Sequence, residues 1–262
     1  MPDMLAPVTR TAALGSDLEI TVTESGTGRP VLILHGGGGP FTVAGIANHL
    51  AETMHSTTPT HPGWYGTNRP EWFSGIDDLA LAYLHYLEDN DLRDVLVIGS
   101  SMGGWIGSEM AVRDGAGRIT GLILIDGVGI SVDGHPIRDF FALDARGVAR
   151  YAWHDADRFY IDPATVPAEQ AARTKANMAT MRVIAGPDMN DPKLMRRLAS
   201  VRIPVLAIWG DSDGIVTPAY GAAFASAFQK GRLEVVTDAG HLPQIEQPEA
   251  TFALIDAFTT RK

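Results

Sequence analysis

The chain has no cysteine, so disulfide bonds and thiolate chemistry are excluded. It also lacks any continuous apolar run of about 18 residues, the length at which a membrane-spanning helix is considered. Residues 1–7 have neither the basic start nor the apolar stretch of a secretory signal. From these absences we expect no membrane association and a cytoplasmic location.

Positive charge is scarce as well. The 262 residues include 21 Lys and Arg against 31 Asp and Glu, which gives a net charge of −10. This acidic balance argues against binding to nucleic acid or to anionic membranes. We therefore expect a small-molecule substrate as the partner of this chain, with a homodimer as the candidate assembly.

The composition that remains is that of an ordinary globular domain, with 45% hydrophobic and 20% charged residues. Short apolar runs, typical of parallel strands covered on both faces, alternate with segments of helical spacing. This alternation predicts an α/β fold with a mostly parallel, doubly wound sheet. The clearest of the apolar runs are residues 31–34, 95–98, 122–125 and 205–209.

The pattern changes between residues 127 and 200. No strong strand occurs there, and helix-like pieces with scattered aromatic residues are interrupted by prolines. A connection of this length is unusual between two strands. We interpret residues 127–200 as an inserted helical cap, which divides the α/β core into residues 1–126 and residues 201–262.

A G-x-S-x-G motif, Gly99-Ser100-Ser101-Met102-Gly103, lies between a predicted strand and a predicted helix. This context is typical of a nucleophile elbow, with Ser101 at the tip of a strained turn. The flanking glycines leave room for the turn, and the Met102 N–H at the start of the helix faces a developing oxyanion. The alternative is a Gly/Ser-rich turn without chemistry.

A nucleophilic serine needs a base, and the base needs an acid that orients it. His241 follows the last predicted strand and is the candidate base. Asp213 follows the strand at residues 205–209 and fits the chain order of nucleophile, acid and base. Asp211, two residues earlier, and Asp126, at the end of the preceding strand, remain alternatives for the acid.

Four glycines follow His35 in the loop after residues 31–34. A backbone N–H in such a loop approaches a substrate carbonyl closely, so we predict Gly37, with Gly38 as the next choice, to be the second oxyanion donor. The loop lacks the Lys-Ser/Thr of a phosphate-binding loop and the pattern of a dinucleotide site. No cluster has metal-ligand spacing, so we expect neither a cofactor nor a metal.

Together these motifs resemble those of the α/β-hydrolase superfamily. The resemblance runs over nearly the whole chain, and each motif stands in the expected order. It implies a cap between the sixth and seventh strands, a triad of Ser101, Asp213 and His241, and oxyanion donors at Gly37 and Met102. The motifs are Leu34-His35-Gly36-Gly37-Gly38-Gly39-Pro40, His61-Pro62-Gly63-Trp64-Tyr65-Gly66-Thr67, Gly99-Ser100-Ser101-Met102-Gly103-Gly104, Trp209-Gly210-Asp211-Ser212-Asp213 and Ala239-Gly240-His241-Leu242-Pro243-Gln244-Ile245-Glu246-Gln247-Pro248-Glu249.

Two positions depart from relatives of this type. Serine at position 101, where haloalkane dehalogenases and soluble epoxide hydrolases carry Asp, excludes both classes. His61 stands where many members of the superfamily have Asp.

The favoured function is a serine hydrolase that cleaves an ester or a lactone of a small to medium apolar substrate through an acyl-enzyme on Ser101. The chain also resembles the C–C bond hydrolases of aromatic ring-cleavage pathways. Arg173, Lys175 and Arg182 are candidates to bind a substrate carboxylate in that case, although each is also typical of a solvated helix. A ligand receptor built on a hydrolase scaffold is the alternative from a different class.

Aromatic residues near the elbow and in the predicted cap are candidates for lining the substrate pocket. Each of them taken alone is more typical of core packing than of a pocket wall. The candidates are Trp64, Trp105, Phe140, Phe141 and Trp153, with Phe159 and Tyr160 as further possibilities.

Overall fold

A computed structural model describes residues 6–14 and 18–260. The expectation of no secretory signal rests on residues 1–7, of which residues 1–5 lie outside the described part. Eight strands of the described chain form one sheet. They are β1 (Val8–Ala13), β2 (Glu19–Ser25), β3 (Pro30–Leu34), β4 (His55–Thr60), β5 (Val95–Ser100), β6 (Ile119–Ile125), β7 (Val205–Gly210) and β8 (Gly231–Val236).

The strand order is β1-β2-β4-β3-β5-β6-β7-β8. All neighbours from β4 to β8 pair in parallel, whereas β2 runs antiparallel to both β1 and β4. The predicted mostly parallel, doubly wound sheet is therefore confirmed. The antiparallel edge strand β1 was not predicted, because its sequence lacks a continuous apolar run.

The central strands are buried on both faces, and their side chains alternate between two cores. In β5, Val95 and Val97 contribute to one core, while Leu96 and Ile98 contribute to the other. Successive side chains of a strand point to opposite faces, so a continuous apolar run supplies both layers.

Helices cover both faces of the sheet. Residues of α2, α3 and α8 pack into the first core, and residues of α1 and α10 pack into the second. Helices α4 to α7 all lie in the connection between β6 and β7. The bounds are α1 (Ala44–Leu50), α2 (Ile76–Asp89), α3 (Met102–Arg113), α4 (Ala145–Ala152), α5 (Ala156–Phe159), α6 (Ala168–Ile184), α7 (Leu194–Leu198), α8 (Pro218–Ser226), α9 (Pro243–Glu246) and α10 (Pro248–Thr259).

The topology places the candidate functional loops at one edge of the sheet. Because the carboxyl ends of parallel strands share an edge, the loops after β3, β5, β6, β7 and β8 all meet there. The helices of the described residues include none with the length and apolarity needed to cross a bilayer.

Candidate active site

Ser101 forms the tip of a strained turn between β5 and α3. Its backbone has φ 56° and ψ −118°, which a non-glycine residue rarely adopts. A Cβ at Gly99 would overlap the backbone of Gly103, and a Cβ at Gly103 would overlap the carbonyl oxygen of Leu34. Only glycine therefore allows the close approach that the turn requires at these two positions.

His241 connects Ser101 to Asp213 through a continuous line of hydrogen bonds. Its Nε2 lies 2.9 Å from Ser101 Oγ, and its Nδ1 lies 2.8 Å from Asp213 Oδ2. The other oxygen of Asp213 accepts hydrogen bonds from the N–H groups of Ile215 (2.7 Å) and Val216 (3.1 Å). Three donors thus surround the buried carboxyl group of Asp213.

Asp126 lies beside this line at the end of β6 and is completely buried. Its Oδ1 accepts one hydrogen bond, from the Gly210 N–H at 3.0 Å, and its Oδ2 has no partner within the described residues. Burial, together with the neighbouring charge of Asp213, raises the pKa of the Asp126 carboxyl well above its usual range. Both effects favour the neutral, protonated acid.

Asp211, the other alternative for the acid, is exposed and accepts a hydrogen bond from the Ser212 hydroxyl. Ligand atoms of Asp126, Asp213 and His241 lie within 4.8 Å of one another, so these side chains form a group that could hold a metal ion. Sequence spacing did not predict this group, because its members come from three separate loops. The 2.8 Å between His241 Nδ1 and Asp213 Oδ2 is a hydrogen-bond distance.

The loop after β3 orients its peptide groups through side chains. His35 Nδ1 lies 2.7 Å from the carbonyl oxygen of Gly36, which fixes the peptide between Gly36 and Gly37. Because C=O and N–H point in opposite directions in a trans peptide, the Gly37 N–H is oriented as well. The Trp64 indole donates to the Gly37 carbonyl oxygen at 2.9 Å. Neither the Gly37 N–H nor the Met102 N–H has a protein acceptor within the described residues.

Two buried histidines support this loop, and their partners define their tautomers. The backbone N–H of His61 donates to His35 Nε2 at 3.1 Å, so Nε2 is unprotonated and the ring proton of His35 is on Nδ1. The ring of His61 donates from Nε2 to the His35 carbonyl oxygen at 2.9 Å and accepts from the Tyr83 hydroxyl at 2.6 Å. Burial lowers the pKa of His35 well below its usual range and that of His61 to about 4, which agrees with two neutral rings.

A cavity of about 530 Å³ opens above Ser101 and His241. Its wall is mainly apolar, and of the predicted aromatic candidates it includes Phe140 and Trp153. The Trp153 ring is stacked on Phe159, with ring centroids 4.4 Å apart. Further apolar residues of the wall are Phe41, Val148, Ile161, Met178, Met181, Met189, Ile215 and Leu242.

Five of the seven aromatic candidates do not line this cavity: Trp64, Trp105, Phe141, Phe159 and Tyr160. Tyr160 lies instead under the Arg146 guanidinium. Trp64 is fully buried beneath the loop after β3, where its indole binds the Gly37 carbonyl oxygen. Trp105 faces away from the cavity and packs against Gly129, where no Cβ would fit. Phe141 lies under the Arg182 guanidinium outside the cavity wall. Proximity in sequence to the elbow or the cap did not reveal which face each ring takes.

Helix α6 supplies six residues of the cavity wall, and sequence reasoning identified only Arg173 among them. Gln170, Arg173, Asn177 and Met181 follow one another at helical spacing and all line the cavity. The three- and four-residue spacing was a usable signal, but the alternation of polar and apolar residues obscured it. Of the predicted cationic candidates, Arg173 lines the cavity, whereas Lys175 and Arg182 do not.

Comparison with known proteins agrees with this architecture. A 2-hydroxy-6-oxo-6-(2'-aminophenyl)hexa-2,4-dienoic acid hydrolase of Metapseudomonas resinovorans is 26% identical, with 88% of this chain and 84% of the relative covered. Lipase 3 of Moraxella sp. (strain TA144) is 26% identical, with 92% and 80% covered. The structure of a serine hydrolase of the bacterium Cycloclasticus zankles matches with a TM-score of 0.80 at 18% identity, covering 97% of this chain and 98% of that one.

The protein-family model described as "Alpha/beta hydrolase family" matches residues 31–254 of this chain. This match spans most of the chain, including the loops that carry Ser101, Asp213 and His241. The structural match shows that the two chains share their fold. The chain therefore belongs to the alpha/beta hydrolase family.

Proposed function

We propose that this hydrolase cleaves a carboxylic ester or a lactone through an acyl-enzyme on Ser101. The observation that carries the proposal is the line of hydrogen bonds from Asp213 through His241 to Ser101 at the floor of an apolar cavity. Lipases among the relatives support ester cleavage.

In the first step, Ser101 Oγ attacks the carbonyl carbon of the substrate, and His241 Nε2 takes the hydroxyl proton. Asp213 keeps the other ring proton on Nδ1 and stabilises the imidazolium that forms. The N–H groups of Gly37 and Met102 receive the oxyanion. Gly37 lines the cavity, Met102 directly follows Ser101, and neither N–H has a protein acceptor in the described part of the chain.

In the next steps, His241 returns its proton to the leaving alcohol and the C–O bond breaks. Water then attacks the acyl-enzyme, with His241 as its base, and Ser101 regains its proton when the carboxylic acid leaves. All proton transfers thus use the same ring nitrogen, which faces the cavity.

The cavity wall supports an apolar substrate of small to medium size. About 530 Å³ is within the range of typical small-molecule sites. Methionines at three positions of the wall, Met178, Met181 and Met189, offer flexible side chains that adapt to different acyl shapes. The segment that contains helices α4 to α6 forms one side of this wall. A cap domain has this function, because it covers the active site and shapes the substrate pocket.

Turnover of p-nitrophenyl acetate and butyrate tests the proposal. We expect sustained hydrolysis at rates above about one per second for the wild type, and loss of this activity in His241→Ala. Near-stoichiometric release followed by stalling would favour a ligand receptor on the hydrolase scaffold instead.

C–C bond hydrolysis is a second candidate, and Arg173 is the observation that favours it. Its guanidinium lines the cavity, lies 4.9 Å from the centre of the Tyr65 ring, and makes no ion pair within the described part of the chain. It is therefore available to a substrate carboxylate, and one relative acts on a dienoic acid according to its name.

The substrate of that relative serves as the probe for this candidate. If the chain is a C–C hydrolase, we expect loss of the dienoate absorbance, with KM raised about tenfold or more in Arg173→Gln. Lys175→Gln, an exposed neighbour on the same helix, is the matched control. Unchanged absorbance with the wild type would exclude this candidate for that substrate class.

A further inference from the structure

The carboxylate of Glu246 connects two segments that meet at the active site. It accepts hydrogen bonds from the backbone N–H groups of His154 (3.0 Å), Asp155 (3.1 Å) and Gly240 (2.6 Å). Glu246 ends the short helix α9, and its carboxylate is the common acceptor for both segments. Hydrogen bonds from N–H groups to an ionised carboxylate are stronger than those to a neutral acceptor.

Each of the two segments carries part of the site. Gly240 directly precedes His241, whose Nε2 faces Ser101. His154 and Asp155 directly follow Trp153, which lines the cavity. The Glu246 carboxylate therefore holds the loop of the candidate base against the end of the inserted helical segment.

Direct backbone hydrogen bonds reinforce this junction. The backbone N–H of His241 donates to the Ala152 carbonyl oxygen at 2.7 Å. The backbone N–H of Gly214 donates to the Tyr151 carbonyl oxygen at 2.8 Å. A Cβ at Gly240 would overlap the Ala152 carbonyl oxygen, so the backbones of the two segments pack against each other with no room for a side chain at Gly240. The end of α4 is thus attached to the loop of the base and to the loop of the acid.

The half-exposed His154 ring also joins the junction, with Nε2 3.6 Å from Asp238 and Nδ1 2.8 Å from Ser212 Oγ, but Glu246 is the side chain that accepts from the backbone of both segments. We infer that Glu246 is a positioning residue for His241, and that it couples the position of the His241 ring to the segment that carries Trp153. It does not contact the substrate, and its effect passes through the Gly240 N–H. The inference rests on the proposed function, because it assumes that His241 activates Ser101.

Positioning and simple stabilisation predict different results for folded variants. A group that only stabilises the fold lowers the melting temperature but leaves the rate of the folded enzyme unchanged. A positioning group changes kcat at a temperature where the variant is fully folded, because a displacement of about 1 Å at a catalytic group costs up to about 100-fold in rate.

Glu246→Ala and Glu246→Gln are the test variants. Alanine removes all three hydrogen bonds. Glutamine keeps the size but has one acceptor oxygen, so its amide N–H₂ faces an N–H group of one segment. Glu249→Ala and Glu249→Gln, at an exposed carboxylate three residues along the chain, are matched controls.

Two rates are measured well below the melting temperature of each variant. The first is the rate at which a small fluorophosphonate forms an adduct on Ser101, followed by intact mass. The second is kcat for p-nitrophenyl acetate. We expect both rates to fall on the order of 10- to 100-fold in Glu246→Ala and less in Glu246→Gln, with KM changed by less than about threefold and both Glu249 variants like the wild type.

A Glu246→Ala protein that reacts at the wild-type rate while folded would overturn the inference and leave the proposed function intact. If that variant does not fold, Glu246→Gln decides in the same way. A wild-type protein that forms no adduct would instead overturn the proposed function, and this inference with it.

Discussion

The loops after β6 and β7 each contain a buried aspartate beside His241, but the two carboxyl groups differ in their hydrogen-bond partners. Asp213, after β7, accepts two backbone hydrogen bonds and one from His241. Asp126, after β6, accepts one backbone hydrogen bond and has an oxygen with no partner within the described residues.

The comparison shows that burial alone does not decide which carboxylate serves as the acid. Both side chains are shielded from water. Where N–H donors converge, the charge is stabilised. Where they are missing and a second carboxylate is near, the pKa of the acid rises and the neutral form is favoured. The loop after β7 therefore surrounds Asp213 with hydrogen-bond donors, His241 among them, whereas the loop after β6 favours a neutral acid at Asp126.

The largest expected effect comes from Asp213→Asn. The amide oxygen takes the place of the oxygen that binds the Ile215 and Val216 N–H groups, so the amide N–H₂ faces His241 Nδ1. His241 then carries its proton on Nε2 and cannot accept one from Ser101. We expect kcat for p-nitrophenyl butyrate to fall on the order of 10³- to 10⁴-fold, measured by steady-state kinetics. A mild loss here together with a severe loss in Asp126→Asn would reverse the assignment of the acid.

The second prediction concerns the buried His61, whose neutral form is favoured by burial as the neutral form of Asp126 is. The folded pKa of His61 is about 4, below its usual value of 6.5, so the unfolded chain binds a proton that the folded chain excludes. Stability is therefore lost as the pH falls from about 6.5 to about 4, by up to about 1.4 kcal/mol per pH unit for this group. His61→Asn keeps a donor and an acceptor but does not titrate, so we expect a smaller loss in denaturant unfolding over the same pH range. Equal losses in both proteins would show that His61 does not titrate as described.

Asp126→Asn is expected to change stability with the opposite dependence on pH. The amide oxygen of the new Asn side chain accepts from the Gly210 N–H, and its N–H₂ group takes the place of the protonated oxygen of Asp126. We therefore expect kcat to stay within about threefold of the wild-type value. Because the folded pKa of Asp126 is raised, the wild type loses stability as the pH rises from about 4 through that pKa. Denaturant unfolding across this range should favour the Asn variant increasingly as the pH rises. A constant difference between the two proteins would indicate a charged Asp126 at all pH values tested.

The last expected effect concerns the substrate side of the site. Trp153→Ala enlarges the cavity next to His241, and we expect kcat/KM for p-nitrophenyl butyrate to fall about tenfold while longer acyl chains lose less. Trp72→Ala, at an exposed ring outside the cavity, is the control. An unchanged chain-length preference would place the acyl group elsewhere in the cavity.

The sequence predicts the fold and the meeting of the candidate triad for the same physical reason. Buried parallel strands leave continuous apolar runs, and their carboxyl ends share one edge of the sheet. Ser101 and Asp213 each follow such a run, whereas His241 follows the half-buried edge strand β8. The structure brings all three within hydrogen-bond distance. Chain order could not distinguish Asp213 from Asp126 on physical grounds, because the distinction depends on backbone N–H groups in loops.

Side chains whose role depends on orientation were harder to predict. Trp64 and Trp105 have the residue type of pocket walls, but both rings are buried away from the cavity. The position of Glu246 in a family motif was visible, but two of its three backbone donors, His154 and Asp155, come from a segment more than 90 residues away in sequence. Contacts of this kind arise from tertiary structure and leave no local pattern.

Fluorophosphonate labelling of the wild type and Ser101→Ala, followed by intact mass, tests the central claim most directly. An activated Ser101 predicts one phosphonyl adduct on the wild-type protein and none on the variant. Absence of an adduct on the wild type, or an adduct that persists in Ser101→Ala, would contradict the assignment of Ser101 as the nucleophile.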